Sequence, residues 1–505
     1  MKTVFVLLDS LNRNAMECYG PTDVQTPNFS RFAERAVTFD NHYVGSLPCI
    51  PARRDLHTGR LSFLHRSWGP LEPFDDSFPE LLKQSGTYSH IVTDHHHYFA
   101  DGGATYHQRY SSWELVRGQA IDRWKAHVNP DTEALKADFH PLQHHRTNYM
   151  INRAYVNEEA DYCGPQVFAL GQEFLETNHR DDNWFLQLEC FDPHEPFHAP
   201  PRFREMYPTN YEGPILDWPL YKKVTETPEE IAELRANYAA LTTMCDAYFG
   251  RLLDFFDAND LWRDTCLVLT TDHGFLLGEH DWWSKNRMPV YDEIARIPLM
   301  IYHPDFADQG GSRRSTLTQS VDIMPTILDI HEKDIPVDVM GKSLMPVLRE
   351  DQPIRDAALF GYFGAACNVT DGRYVYQRYP STMSAEGLFE YTLMPTRMTS
   401  RFAIDELQGA TLAEPFDFTK GVPVLKLKPR ANDAAQVVEV QGMSFEETET
   451  RLYDLYSDPG QTTPIDDPVT ETRMIVELTR LMRETDAPPE MFDRFGLNQK
   501  EAADA

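Results

Sequence analysis

The chain has 505 residues, and 47 Lys and Arg against 78 Asp and Glu leave a net charge of −31. With 41% hydrophobic and 25% charged residues the composition is that of a globular protein, which excludes a disordered or fibrous chain. The acidity argues against binding to nucleic acid or to an anionic membrane surface.

Residues 4–8 read as a first β-strand. The apolar stretch is too short for a secretory signal and no small-residue cleavage site follows, so a cytoplasmic protein is expected. No run is long enough to span a membrane. Seven cysteines, an odd number without a C-x-x-C pair, predict neither a disulfide framework nor a zinc knuckle. Further along, 184–191, 267–271 and 298–302 read as buried strands, and 28–36, 78–84 and 228–258 as helices. The alternation predicts an α/β fold with a large, mostly parallel sheet sandwiched by helices. Residues 98–161 are polar and rich in Trp, Tyr and His, and read as an elaborated loop region over a pocket. Beyond Ala357 the texture changes to short strands at 359–367, 372–377 and 450–455, then an amphipathic helix at 470–485. This predicts a catalytic domain over 1–355 and a smaller α+β domain over 356–505.

The first strand runs into Asp9, and the strand at 267–271 runs into Asp272-His273-Gly274. Ligands of open α/β sheets gather at the carboxyl ends of the strands. Asp9, Asp272 and His273 are therefore candidate ligands of one divalent metal. The alternative is that each Asp caps the next helix. In Cys49-Ile50-Pro51-Ala52-Arg53, Pro51 suits a first helical turn, which puts Cys49 at a helix N-terminus where an anion is favoured. Arg53 can swing back to the same spot. A nucleophile beside an oxyanion site competes here with a buried thiol near a structural arginine.

These segments resemble the type I sulfatases of the alkaline-phosphatase superfamily. Cys49-Ile50-Pro51-Ala52-Arg53 with Thr58-Gly59-Arg60 is similar to their signature, with Ala52 at a position usually occupied by Ser. Asp9-Ser10, Thr26-Pro27-Asn28-Phe29, Asp192-Pro193-His194-Glu195-Pro196-Phe197, Thr271-Asp272-His273-Gly274 with Lys285, and Leu452-Tyr453-Asp454-Leu455 resemble further family elements in the same order. The resemblance implies that Cys49 is converted by a maturation enzyme to formylglycine, whose hydrate attacks a sulfate ester and shares the metal with Asp9, Asp272 and His273. It implies that His194 assists the departing alcohol, and that Arg53 and Lys285 stabilise charge on the sulfuryl oxygens. The family's K-x-H pair would fall on Asp94 and His96, so the lysine is missing while His96 is a candidate anion contact. A polar loop with incidental histidines is the alternative at 95–97. Calcium is favoured for its oxygen ligands, with manganese open because of the imidazole. Ser10 stands where many relatives carry a second acid.

A small sulfate ester is the expected substrate, since a long sulfated polymer sits awkwardly with the acidic surface. A phosphonate monoester or phosphodiester hydrolase with the same nucleophile is the alternative, and a catalytically silent binding protein the third. Related hydrolases suggest a homo-oligomer.

Overall fold

The computed structural model describes residues 1–285, 289–381, 384–429 and 449–497. The first strand, Lys2–Leu8, is buried along its whole length, as a central parallel strand must be. Val4, Val6 and Leu8 point to one face, where they meet Leu241, Met244 and Phe249 of the long helix Pro228–Ala258 and Val167 of Cys163–Asn178. Phe5 and Leu7 point to the other, against Ile50, Phe78 and Ile327 from three further helices, Cys49–Thr58, Phe78–Gln84 and Ile323–Ile330. The period of two along one strand thus builds both halves of the core.

Among the described residues this sheet has eight strands, in the order Arg313–Arg314, Val37–Phe39, Leu299–Tyr302, Thr265–Thr270, Lys2–Leu8, Trp184–Cys190, Tyr88–Thr93 and Ser112–Leu115. All neighbours are parallel except Leu299–Tyr302, which runs antiparallel to both of its partners. The expected strands and the helices at 78–84 and 228–258 are present. The first helix spans Pro27–Ala33 and stops three residues short of expectation.

Two expectations are corrected. Residues 359–367 are not one strand but a hairpin, Ala358–Tyr362 against Ala366–Thr370, whose turn uses Gly364 at φ +68°. Residues 98–161 are not purely loop. They carry the edge strand Ser112–Leu115 and the short helices Thr132–Ala137 and Thr147–Arg153. Isolated polar elements of this length have too weak a period to be read from sequence.

A second sheet has the order Arg451–Asp454, Tyr374–Arg378, Ala366–Thr370, Ala358–Tyr362 and Ser46–Leu47. The helix Pro468–Glu484 covers it, with Met474, Leu478 and Met482 packed on Leu359 and Val369. Its last strand comes from the segment just before Cys49, through Ser46 opposite Gly361. Among the described residues no helix is long and apolar enough to cross a membrane.

Candidate active site

The helix Cys49–Thr58 starts at the cysteine, with Pro51 in its first turn and Gly59 at φ +64° ending it. Its entry is fixed by Asp55, whose carboxylate accepts from Ser46 N at 2.6 Å and from the Ser46 and Ser62 hydroxyls at 2.9 Å each. Arg53 does turn back: its Nη1 donates to the Cys49 carbonyl at 3.1 Å. The same guanidinium reaches Asp272 Oδ2 at 2.6 Å, Asp9 Oδ2 at 2.8 Å and Glu189 Oε1 at 2.8 Å. One arginine therefore joins the ends of three neighbouring strands, in a place closed to solvent.

Asp9, Cys49, Asp272 and His273 each present a donor atom, and these atoms all lie within 4.8 Å of one another. Cys49 Sγ is 3.2 Å from His273 Nε2, and His273 Nδ1 is 3.0 Å from the Gly274 carbonyl, which requires the proton on Nδ1 and leaves Nε2 as the acceptor. Gly274 is obligatory here, since a Cβ would lie 1.8 Å from the Glu293 carbonyl. On the far side Lys285 Nζ donates to Ser10 Oγ at 2.7 Å and stands 3.8 Å from both Asp9 and Glu195. Ser10 in turn donates to Asp9 Oδ1 at 2.7 Å, so its hydroxyl bridges an acid and a base.

The donor set favours a cation in this cluster. The carboxylates of Asp9 and Asp272 are buried side by side on Arg53. Two carboxylates and an imidazole with its lone pair free suit a divalent ion. Burial alone would raise the Asp9 carboxyl, but Arg53, with Lys285, holds it well below the usual range. Burial, reinforced by Asp9, pushes the Cys49 thiol well up.

His194 packs on Phe191 with ring centroids 4.0 Å apart, and its Nδ1 lies 2.6 Å from the Glu195 carbonyl. Burial and Lys285 keep the ring neutral. In that state Nδ1 carries the proton and Nε2 accepts. His194, Lys285, Cys49 and His96 line one cavity of about 420 Å³. Its outer wall includes Ala120, Ile121, His145 and Arg146 from the region over 98–161.

Asp9, Cys49, Arg53, Asp272 and His273 are therefore brought together, with His194, His96 and Lys285 on the adjoining cavity. His96 lines the cavity with neither ring nitrogen bonded, and the imidazole within 3.8 Å of Asp9 is its neighbour His95. Asp94, where a lysine was expected, faces away: it accepts from Phe191 N at 2.7 Å and lies near Asp192, with Gln119 between them. Glu189, Glu195, Tyr221 and Arg146 were missed. For Glu189 a signal existed, an acid in the buried apolar strand Trp184–Cys190.

The cluster gathers at the carboxyl ends of a mostly parallel sheet, where open α/β folds bind their ligands. The family described as Sulfatase matches residues 2–332. The chain belongs to that family, and is a sulfuric ester hydrolase. The model described as N-sulphoglucosamine sulphohydrolase, C-terminal, matches residues 278–399. An N-acetylglucosamine-6-O-sulfatase of Bacteroides thetaiotaomicron is 26% identical over 71% of this chain and 74% of its own. A choline-sulfatase of Rhizobium meliloti is 24% identical over 79% of this chain and 81% of its own. Among solved structures, a protein in complex with its substrate D-glucosamine-2-N,6-O-disulfate aligns with a TM-score of 0.66 at 18% identity, over 97% of this chain and 99% of that one. The phosphonate monoester hydrolase of Agrobacterium radiobacter aligns with a TM-score of 0.65 at 17% identity, over 96% and 95%.

Proposed function

We propose that this enzyme hydrolyses a small sulfate ester with a nucleophile made from Cys49. The observation that carries the proposal is the convergence of Asp9, Cys49, Asp272 and His273. A divalent ion held by these positions, calcium before manganese, would supply positive charge to the sulfuryl oxygens, and formylglycine at position 49 would supply the attacking hydroxyl. Arg53 orients the carboxylates that face both groups. Lys285 offers its ammonium to the substrate oxygens, held in place through Ser10. His194 hands its proton to the departing alcohol from Nε2. For this it must first be charged, and a bound anion favours that charge. His96 lies on the wall that the sulfate would share.

Several further statements belong to the same proposal. The likeness of Cys49-Ile50-Pro51-Ala52-Arg53 to the family signature supports prior oxidation of Cys49 by a maturation enzyme. The seven free cysteines support a reducing, cytoplasmic setting. Residues 1–355 and 356–505 act as a catalytic unit and a smaller unit, supported by the second sheet, four of whose five strands follow Ala357. A homo-oligomer rests on the likeness to related hydrolases alone.

A phosphonate monoester or phosphodiester hydrolase is the second reading. Ser10 favours it, because its hydroxyl is spent between Asp9 and Lys285 and the first strand offers one carboxylate only. Peptide mass spectrometry of the Cys49 segment, with steady-state rates on matched aryl sulfate, phosphonate and phosphodiester substrates, tests both. Formylglycine with dominant sulfate turnover is the expected result. Phosphonate turnover faster by orders of magnitude would replace the first reading with the second.

A further inference from the structure

Arg146 is the cation of the cavity that the reaction above does not use. Its guanidinium carbon lies 3.7 Å from the centroid of the Trp218 ring, and its Nε donates to His145 Nε2 at 3.1 Å. Its Nη1 is buried and has no hydrogen-bond partner in the protein. The acids on that side are engaged elsewhere. Asp217 accepts from Gln143, Tyr149 and Arg153, while Glu195 accepts from Tyr221 and faces Lys285. Among the described residues Arg146 forms no ion pair, in a chain whose net charge is −31. Burial lowers Arg146 only to about 10, so it remains charged at neutral pH.

A guanidinium stacked on an aromatic ring keeps its edge N–H groups pointing outward in a fixed fork, the geometry that takes a carboxylate or sulfate. A buried, unpaired donor is costly until such a partner arrives. Trp68 of the same cavity offers apolar surface for a ring.

We infer that Arg146 binds an anionic substituent, a carboxylate or a second sulfate, carried on a ring of the leaving alcohol. The inference rests on the proposed reaction for which end of the substrate reaches Cys49, but the anion site can be tested without turnover. Calorimetric titration of the full chain with 4-hydroxybenzoate, 4-hydroxybenzenesulfonate and neutral 4-hydroxybenzamide measures product-like binding directly. The better anion is expected to bind about tenfold tighter than the amide, or more. In Arg146→Gln that ratio should fall to about twofold or less, while Arg146→Lys, which keeps the charge, should retain part of it. Whichever anion binds tighter names the substituent. Equal affinity of all three for the wild type, or a preference undiminished in Arg146→Gln, overturns the inference. If the wild type keeps the preference yet hydrolyses no aryl sulfate, the anion site stands and the proposed reaction falls.

Discussion

Arg53 Nε donates to Glu189 Oε1 over 2.8 Å, with both side chains wholly buried. The strand Trp184–Cys190 thereby fixes the arginine whose other two nitrogens hold Asp9 and Asp272. Arg53 keeps Asp9 and Asp272, but Glu189→Ala strips the acceptor from three buried donors, of Arg53, Tyr98 and Gln187, and should lose about 3 kcal/mol of stability. Glu189→Gln keeps an acceptor and should lose less. Denaturant melts of the two variants check the order, and a Gln variant no better than Ala would refute the role of hydrogen bonding here.

Cys49→Ala should reduce turnover by about 10⁴-fold or more, because residue 49 supplies the attacking group of the proposed reaction. Stability should change by only about 1 kcal/mol. Rates on an aryl sulfate and a thermal melt read the two effects separately. Retained turnover would remove residue 49 from the chemistry.

Metal removal should destabilise as well as inactivate. A ligand present at a hundred times its dissociation constant adds about 2.7 kcal/mol to the folded state. Dialysis against a chelator should therefore lower the melting temperature and abolish activity, and calcium should restore both. Asp272→Asn should lose most of the bound metal by elemental analysis. Full metal content in that variant would place the ion elsewhere.

His194→Gln should discriminate between leaving groups. Loss of a proton donor should cost about 10²–10⁴-fold on an alkyl sulfate and far less on a nitrophenyl sulfate, whose anion departs unaided. Equal losses on both would mean that His194 acts on binding and not on the departing oxygen.

Asp192 gives a prediction for pH. Burial pushes its carboxyl up to about 7 from the ordinary carboxylate value of 3.8. Between those values the folded chain keeps a proton that the unfolded chain has released. Stability from this group is greatest at the acid end and falls as pH rises through 7, by up to about 1.4 kcal/mol per pH unit. Asp192→Asn cannot titrate, so its stability relative to the wild type should rise from pH 4 to about pH 7 and level off above it. Parallel pH profiles from denaturant melts would show that Asp192 is ionised in the folded state throughout.

The sequence made the centre of the site legible because short local patterns carry it. Strand-then-acid marks Asp9 and Asp272, and a proline at 51 marks the helix start at Cys49. What escaped depends on partners distant in the chain. Glu189 is intelligible only once Arg53 crosses beneath three strands, and Arg146 only once Trp218 lies against it. Asp94 misled for a similar reason: by position it matches a family lysine, but its carboxyl caps Phe191 N and leaves the wall to the three histidines. The hairpin at 358–370 hides in sequence because both arms are apolar and one glycine turns the chain.

The parallel pairing of Ser46 with Gly361 has a consequence for the life history of the molecule. Cys49 is only 3% exposed, and the short strand before it is clamped by a segment synthesised more than three hundred residues later. If the proposed oxidation of Cys49 takes place, the oxidising enzyme would have to reach a side chain that the finished second sheet encloses, so the modification would belong to the interval before residue 361 has joined Ser46.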